Sequence, residues 1–421
     1  MDITQAVNYI HSLYRPGTKP GLSRIRALLA LLGNPEKSLK FVHIAGTNGK
    51  GSTAAMTASI LCKAGYRAGM FTSPYIYRFN ERIQMDGQQI RDEKLLPLIL
   101  KVKALAETME EMPTEFEFVT ALAMEYYRQE NCPIVVTEVG MGGLNDATNA
   151  IPAPEVAVIT NIGLDHTDAL GDTLEKIAAN KAGIIKTGCT AVVYRGSDAV
   201  EAVYEQVCRE KNVKLVKADF ESLQLRSHSL EGQVFDCGSR KNILLPLLGD
   251  HQLHNAAVVL SLVDALKEKG WEISEQNIYD GLAQVRWPGR FDIVGRSPLF
   301  IIDGGHNPQC IEALVKNIRD YLAGRRVVVL TGVLADKDYA DMYRPVMELV
   351  EQFVCITPDN PRRLQATKLK AHLEQAGARA TACESVKEGV QLAVKLAGKD
   401  GVVLSFGSLY AIGDIHMALD A

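Results

Sequence analysis

Short apolar runs alternate with helix-period segments along most of this chain. Phe41 to Ala45, Ala68 to Phe71, Ile134 to Glu138 and Val156 to Asn161 are runs of four to six residues bounded by turn residues, and each predicts a buried strand. After the first of them Met56, Ile60, Leu61 and Ala64 keep helical spacing until Gly65 ends the pattern. From Thr173 to Ile185 the same spacing puts Leu174, Ile177, Ala178, Lys181 and Ile185 on one helix face. Strands alternating with helices predict a mostly parallel sheet covered on both sides. Residues 215–248 lose the helical period, and turns at Glu231-Gly232 and Cys237-Gly238-Ser239 predict a small antiparallel appendage. A second alternating series follows Arg296-Ser297-Pro298, with strands expected at Leu299 to Asp303, Val327 to Thr331, Phe353 to Thr357 and Val402 to Phe406. That series predicts a doubly wound, Rossmann-like domain over 296–421, joined to a first domain, 1–295, by the breaker-rich stretch Trp287 to Gly295.

Composition narrows the class. The 421 residues are 47% hydrophobic and 23% charged with a net charge of −4, which suits a globular protein and offers no basic field for nucleic acid or an anionic membrane. Eight cysteines are scattered without a C-x-x-C pair, an arrangement expected of a reducing cytoplasm and unlike a disulfide framework or a cysteine zinc site. No apolar run approaches the ~18 residues of a membrane span. Met1 to Gln5 contains an acidic residue and no apolar core, unlike a signal peptide.

The chemistry begins directly after the first strand. His43-Ile44-Ala45-Gly46-Thr47-Asn48-Gly49-Lys50-Gly51-Ser52-Thr53 is a glycine-punctuated loop with one lysine and a hydroxyl pair, set between strand and helix. Glycines let successive N–H groups turn inward around a phosphate, the lysine adds charge, and the helix N-terminus adds its dipole. The loop departs from G-x-x-x-x-G-K-[ST], because Ile44 stands at the first glycine and Gly51 precedes Ser52. It still predicts a P-loop ATPase domain.

Ligands of open α/β sheets bind outside the carboxyl ends of the strands. There the second run ends in Thr72-Ser73-Pro74, the third in Glu138-Val139-Gly140-Met141-Gly142-Gly143, and the fourth leads into Asp165-His166. If the strands are neighbours, Ser73, Glu138 and His166 converge. Glu138 reads either as a Mg2+ ligand beside bound phosphates or as a carboxylate capping the following glycine turn. His166 reads as a loop histidine or as a neutral imidazole for a second metal. Lys181 lies on an apolar helix face. It either snorkels to solvent or is buried with a depressed pKa, in which case its neutral amine can take up CO2 as a carbamate and become an anionic metal ligand.

These motifs together resemble the folylpolyglutamate synthases, including the bifunctional dihydrofolate synthase form, of the Mur ligase superfamily. The likeness spans nearly the whole chain. It rests on Gly46 to Ser52, Phe71-Thr72-Ser73-Pro74, Phe79 to Ile83, Phe116 to Thr120, Glu138 to Gly143 with Asp146 to Asn149, Gly163 to Thr167 and Lys181 to Lys186. Further on lie His251-Gln252 with Asn255, Trp287-Pro288-Gly289-Arg290, Asp303 to Pro308, Asp336-Lys337-Asp338 and Gly407 to Tyr410. Two positions depart from the family pattern: Leu144-Asn145 replace the usual arginine before Asp146, and Gly305 replaces an alanine.

The resemblance implies an ATP-dependent amide ligase that adds L-glutamate to a folate, with dihydropteroate as the further candidate acceptor, through an acyl phosphate. It implies ATP held by Gly46, Thr47, Asn48, Gly49, Lys50, Gly51, Ser52, Asn255, Arg290 and Asp303, with domain closure in the cycle. It implies two Mg2+ sites at Ser73, Glu138, His166 and a carbamylated Lys181, and catalytic roles for Lys50, Lys181, His166 and Arg290. The pterin is expected near Gly21, Leu22, Phe116, Glu117, Asn145, Asp146 and Ala147, and glutamate near His306 and Ser408. The partners expected are small molecules met by a cytoplasmic monomer. A Mur-type ligase acting on a different carboxylate is the neighbouring reading. A nucleotide-switched binding protein is the distant one, and it predicts ATP turnover that ignores pterin and glutamate.

Overall fold

The computed structural model describes residues 1–15, 17, 21–305, 307–335 and 339–419, with only the backbone of residue 341. His306 and the Asp336-Lys337-Asp338 motif lie outside the described residues. The chain forms two compact units. The larger comprises Met1–Arg226, Val234–Leu245 and Gln252–Val285, and the smaller comprises Ser227–Gln233, Pro246–His251 and Arg286–Ala421. No described helix is long and apolar enough to cross a membrane. All eight cysteines are free.

The larger unit is built on an eight-stranded sheet. Its strands are β1 (Phe41–Ala45), β2 (Gly69–Phe71), β3 (Ile83–Met85), β4 (Gln88–Gln89), β5 (Val135–Glu138), β6 (Val156–Ile159), β7 (Thr190–Val193) and β8 (Lys214–Lys217). They lie in the order β4-β3-β2-β5-β1-β6-β7-β8. From β2 to β8 the neighbours are parallel, and β3 and β4 complete one edge with antiparallel pairing. The central strands read as near-continuous apolar runs, interrupted at His43 and Thr137, because helices cover both faces, leaving neither side to solvent. β1 is buried at all five positions, His43 included. Helices Ser23–Leu31, Asp92–Ala106 and Glu115–Gln129 contribute to one core with Phe41, Phe71 and Val135, and Ala45, Ile159 and Val193 belong to another.

β1 is the switch point. β5 lies on one side of it and β6 on the other, so the segments following these strands leave the sheet around a shared crevice at the carboxyl end of β1. Register fixes the depth: Ile44 pairs with Glu138, and Ala45 with Ile159. The phosphate-type loop leaves β1 at this point and opens the helix Lys50–Lys63, with Gly49 in the left-handed region at φ 87° as its N-cap.

Beyond β8, strands β9 (Gln224–Ser229), β10 (Gly232–Cys237) and β11 (Arg240–Leu245) form a three-stranded sheet in the order β11-β10-β9. Two-residue connections leave no room for crossovers, so these strands run antiparallel. Residues 214–217 belong instead to the main sheet. The smaller unit carries a mixed six-stranded sheet of β12 (Asp292–Arg296), β13 (Leu299–Ile302), β14 (Val327–Thr331), β15 (Gln352–Cys355), β16 (Ala380–Ala382) and β17 (Val402–Phe406). Its order is β12-β13-β17-β14-β15-β16, with only β12 antiparallel to its neighbour. β12 and β16 escape the hydrophobic pattern because edge strands are apolar on at most one face.

Candidate functional site

The glycine loop is strapped down from the β6 side. Thr47 N donates to Asn161 O at 2.8 Å, and Thr47 Oγ1 exchanges hydrogen bonds with Gly163. Thr160 Oγ1 donates to Asn48 O at 2.7 Å, and its side chain fills the space that a Cβ on Gly46 would need, 1.8 Å away. Gly46 is therefore required sterically. On the other side, a Cβ at Gly49 would meet Asn255 Oδ1 at 2.5 Å. Asn255 is buried in the helix Asp250–Glu268 and donates to Gln252, which in turn donates to Ser52 Oγ at 3.2 Å.

Two ammonium groups meet at this loop. Lys50 Nζ donates to the carbonyls of Gly46 and Thr47 at 3.1 Å each, and Lys181 Nζ donates to the same Gly46 carbonyl at 2.8 Å. Lys181 ends the helix Leu174–Lys181 and is 4% exposed, so it does not snorkel. Burial first, and the Lys50 charge second, lower its pKa to about 7, against the pull of Asp165 and Asp146. The amine is thus substantially neutral near neutral pH.

Glu138 closes β5 and is buried, and its Oε2 accepts from Ser73 N at 3.1 Å. The adjacency of β2 and β5 thus brings Ser73 to Glu138. His166 sits on the other side of the crevice in a left-handed conformation, φ 51°, with half its side chain exposed and Nε2 4.0 Å from Asp165 Oδ1. A small, partly open cleft is lined by Gly46, Thr47, Lys50, Gly140, Met141, Gly142, Asp165, His166, Leu170 and Lys181. Among the described residues no three His, Cys, Asp or Glu side chains cluster as a ready-made metal site.

Comparison with known proteins bears on this arrangement. Residues 44–263 match the Mur ligase middle domain, and residues 289–409 match the Mur ligase glutamate ligase domain. The dihydrofolate synthase/folylpolyglutamate synthase of Bacillus subtilis is 35% identical, with 98% of each chain covered. The folylpolyglutamate synthase of Lacticaseibacillus casei is 38% identical over 86% of this chain and 87% of its own. This chain belongs to the folylpolyglutamate synthase and dihydrofolate synthase family. Among solved structures, Escherichia coli FolC in complex with DHPP and ADP superposes with a TM-score of 0.88 at 31% identity, covering 100% of this chain and 98% of that one. Mycobacterium tuberculosis folylpolyglutamate synthase complexed with ADP gives 0.91 at 30% identity, covering 100% and 98%.

Within this family member, the segments expected to meet the pterin come together. Phe116 packs where a Cβ on Gly140 would lie, 2.6 Å from that position. Arg24, just after Gly21-Leu22, reaches Glu117 with an Nε···Oε2 distance of 3.0 Å. The two carboxylates of the group are already engaged by the protein. Glu117 accepts from Thr114 N and Oγ1 as part of a capping box, and Asp146 accepts from Met141 N, Thr148 N and Thr148 Oγ1. Asn145 is exposed, and Ala147 is buried in the short 3-10 turn Ala147–Ala150.

In the smaller unit, Asp303 Oδ1 accepts from Gly305 N at 2.7 Å and Oδ2 from Phe291 N at 2.9 Å. Burial raises its pKa, and the Arg290 charge opposes that rise. Arg290 Nη1 occupies the side-chain space of Gly304, 2.6 Å from where a Cβ would sit. Ser408 is buried and its Oγ accepts from Tyr410 N, capping a 3-10 turn. Sequence reasoning did not single out Thr160, and it quoted Asp165 and Gln252 only within motifs, without roles of their own. Thr160 and Gln252 act on other protein groups, and nothing in the local spacing discloses those contacts.

Proposed function

We propose that this protein ligates L-glutamate to a folate, and to dihydropteroate, in a reaction driven by ATP. Membership of the family supports the ligase class. The observation that carries the reading to particular residues is the convergence of Lys50 and Lys181 on one carbonyl of the glycine loop, at a cleft that they line together with His166.

A carboxylate is a poor electrophile and hydroxide a poor leaving group, so the acid must be activated before an amine can displace its oxygen. The folate carboxylate attacks the γ-phosphorus of ATP, ADP departs, and an acyl phosphate results. The α-amine of glutamate then adds to the carbonyl carbon, loses a proton, and expels phosphate to leave the amide. Lys50 would exchange its carbonyl partners for phosphate oxygens, and the loop N–H groups at the helix N-terminus would hold the same anion. Gly46 to Ser52 and Asn255 are the nucleotide-binding residues of the larger unit in this proposal, and Arg290 and Asp303 those of the smaller.

The residues present suit Mg2+. Ser73, Glu138 and His166, with Lys181 as its carbamate, would hold two such ions between them, and the ions would supply positive charge against the phosphates. The fit rests on a buried carboxylate and a buried, depressed lysine. A bare ammonium at Lys181 repels a cation, whereas a carbamate formed from its neutral amine is anionic and planar.

The test is direct. Purified protein with Mg·ATP and labelled glutamate, offered dihydropteroate or a tetrahydrofolate, should yield products heavier by whole glutamyl units. ATP turnover that proceeds equally without pteroate and glutamate, with no such product, would move the protein to the nucleotide-switch class.

A further inference from the structure

His43 is the one ionisable side chain within β1, and the mechanism above leaves it idle. It is fully buried at the centre of the sheet, three residues before Gly46, paired in register with Thr137 on one side and Ala157 on the other. An aliphatic residue there would avoid the desolvation of an imidazole. The imidazole makes one hydrogen bond, between Nε2 and Thr148 Oγ1 at 2.9 Å, while Nδ1 has no partner.

Burial raises the Asp146 pKa and its hydrogen bonds from Thr148, Met141 and Gly140 oppose that rise; with the carboxylate ionised, the proton arrangement along this contact follows. Thr148 has a single hydroxyl proton and directs it at Asp146 Oδ1, 2.5 Å away. Its oxygen must therefore accept from His43, which makes Nε2 the protonated nitrogen and Nδ1 a bare acceptor. That is the cheaper atom to leave unpaired. Burial pushes the imidazole pKa down to about 3, so it is a neutral donor throughout the physiological range.

Beyond the hydroxyl, Asp146 collects backbone. Its Oδ1 also accepts from Thr148 N at 2.9 Å, and its Oδ2 from Met141 N at 2.9 Å. Met141 and the glycines beside it line the cleft opposite the phosphate-type loop. One chain of donors, His43 to Thr148 to Asp146, thus begins on the strand that carries the loop and ends on the turn that faces it.

We propose that His43 is a positioning residue: acting through Thr148, it orients the Asp146 carboxylate and thereby fixes the turn Gly140–Gly142 relative to the nucleotide loop. The consequence for turnover rests on the ligase reading above, because that turn adjoins the segment proposed to meet the folate. A neutral donor suits the task, since it directs the hydroxyl proton toward the carboxylate without adding charge to the phosphate cleft.

Four variants test this. His43→Leu and Thr148→Val break the chain; His43→Gln and Thr148→Ser keep a donor or a hydroxyl at the same place. The breaking pair should speed amide exchange at Met141 roughly tenfold and raise KM for the folate by a similar factor, with ADP affinity unchanged within about twofold. The conservative pair should stay within about threefold of wild type on every measure. Equal behaviour of His43→Leu and His43→Gln, or unaltered Met141 exchange in all four, would overturn the proposal. So would a parallel loss of ADP and folate binding, which marks general damage. If wild type shows no glutamate ligation, the functional reading fails, yet the exchange data still decide the positioning role. If the His43 variants do not fold, the Thr148 pair decides it alone.

Discussion

Each charged group at the loop has a separate measurable consequence. Lys50 is a loop lysine hydrogen-bonded only to carbonyls of its own loop among the contacts described, so Lys50→Ala should cut ligation at least a hundredfold while altering stability by less than about 0.5 kcal/mol. Turnover and circular dichroism should therefore separate, and retention of substantial activity would remove the loop from the mechanism. Glu138→Ala should raise the Mg2+ concentration for half-maximal rate by roughly tenfold or more. An unchanged titration would make Glu138 a structural partner of the Ser73 amide and nothing else. If Lys181 carries CO2, Lys181→Ala should lose activity that formate or acetate partly restores, and Lys181→Arg should not respond, because guanidinium keeps its charge and fills the space. The sign of the His43 effect is also fixed. Unfolded chain takes up a proton on this imidazole below about pH 6.5, whereas the native state does so only near 3. Stability should therefore fall on acidification through that window, by about 1.4 kcal/mol per pH unit from this group. Urea unfolding at several pH values, with His43→Gln as the flattened comparison, measures it.

Between elements, glycines decide how closely the site's parts approach. A Cβ at Gly143 would lie 2.8 Å from Lys181 O and 2.9 Å from both Asn180 O and Lys181 Cα. A Cβ at Gly183 would lie 2.6 Å from Leu144 Cα. These are backbone atoms and cannot swing aside. The turn after β5 and the end of the Lys181 helix therefore interdigitate through two side-chain-free positions, reinforced by Leu144 N donating to Asn180 O. Gly143→Ala should cost about 1–3 kcal/mol and displace the lysine from the Gly46 carbonyl. Thermal melts read the first effect, and the formate response of the Lys181 position reads the second. A Gly143→Ala protein with wild-type stability would show that this contact yields easily.

At the scale of the whole chain, the smaller unit is completed by residues that precede its main segment. Leu248, from Pro246–His251, is buried in one cluster with Phe291, Leu299, Ile301 and Ile311. Gly249 N donates to Tyr321 OH within the same unit. Leu248→Ala should therefore destabilise this unit by about 2–5 kcal/mol. Hydrogen exchange should quicken in β13 and β17 and leave β1 and β6 as they were. Equal acceleration in both sheets would mean that the two units unfold as one.

The sequence by itself determined the strands that are apolar on both faces, the helix opened by Gly49-Lys50, and the loop between them, because burial and phosphate-type turns leave local marks. β1, β14 and β17 end where the apolar runs end. It also marked Lys181 as a lysine on an apolar face. Tertiary structure alone decided what that face meets, namely the Gly46 carbonyl. It alone placed β5 and β6 on opposite sides of β1, and so brought Ser73 to Glu138, and it spent Glu117 and Asp146 on protein donors. The contacts of Thr160, Gln252 and His43 had no local signature. Their partners are 112, 200 and 105 residues away along the chain, and spacing within a window carries no information about contacts that only the strand order creates.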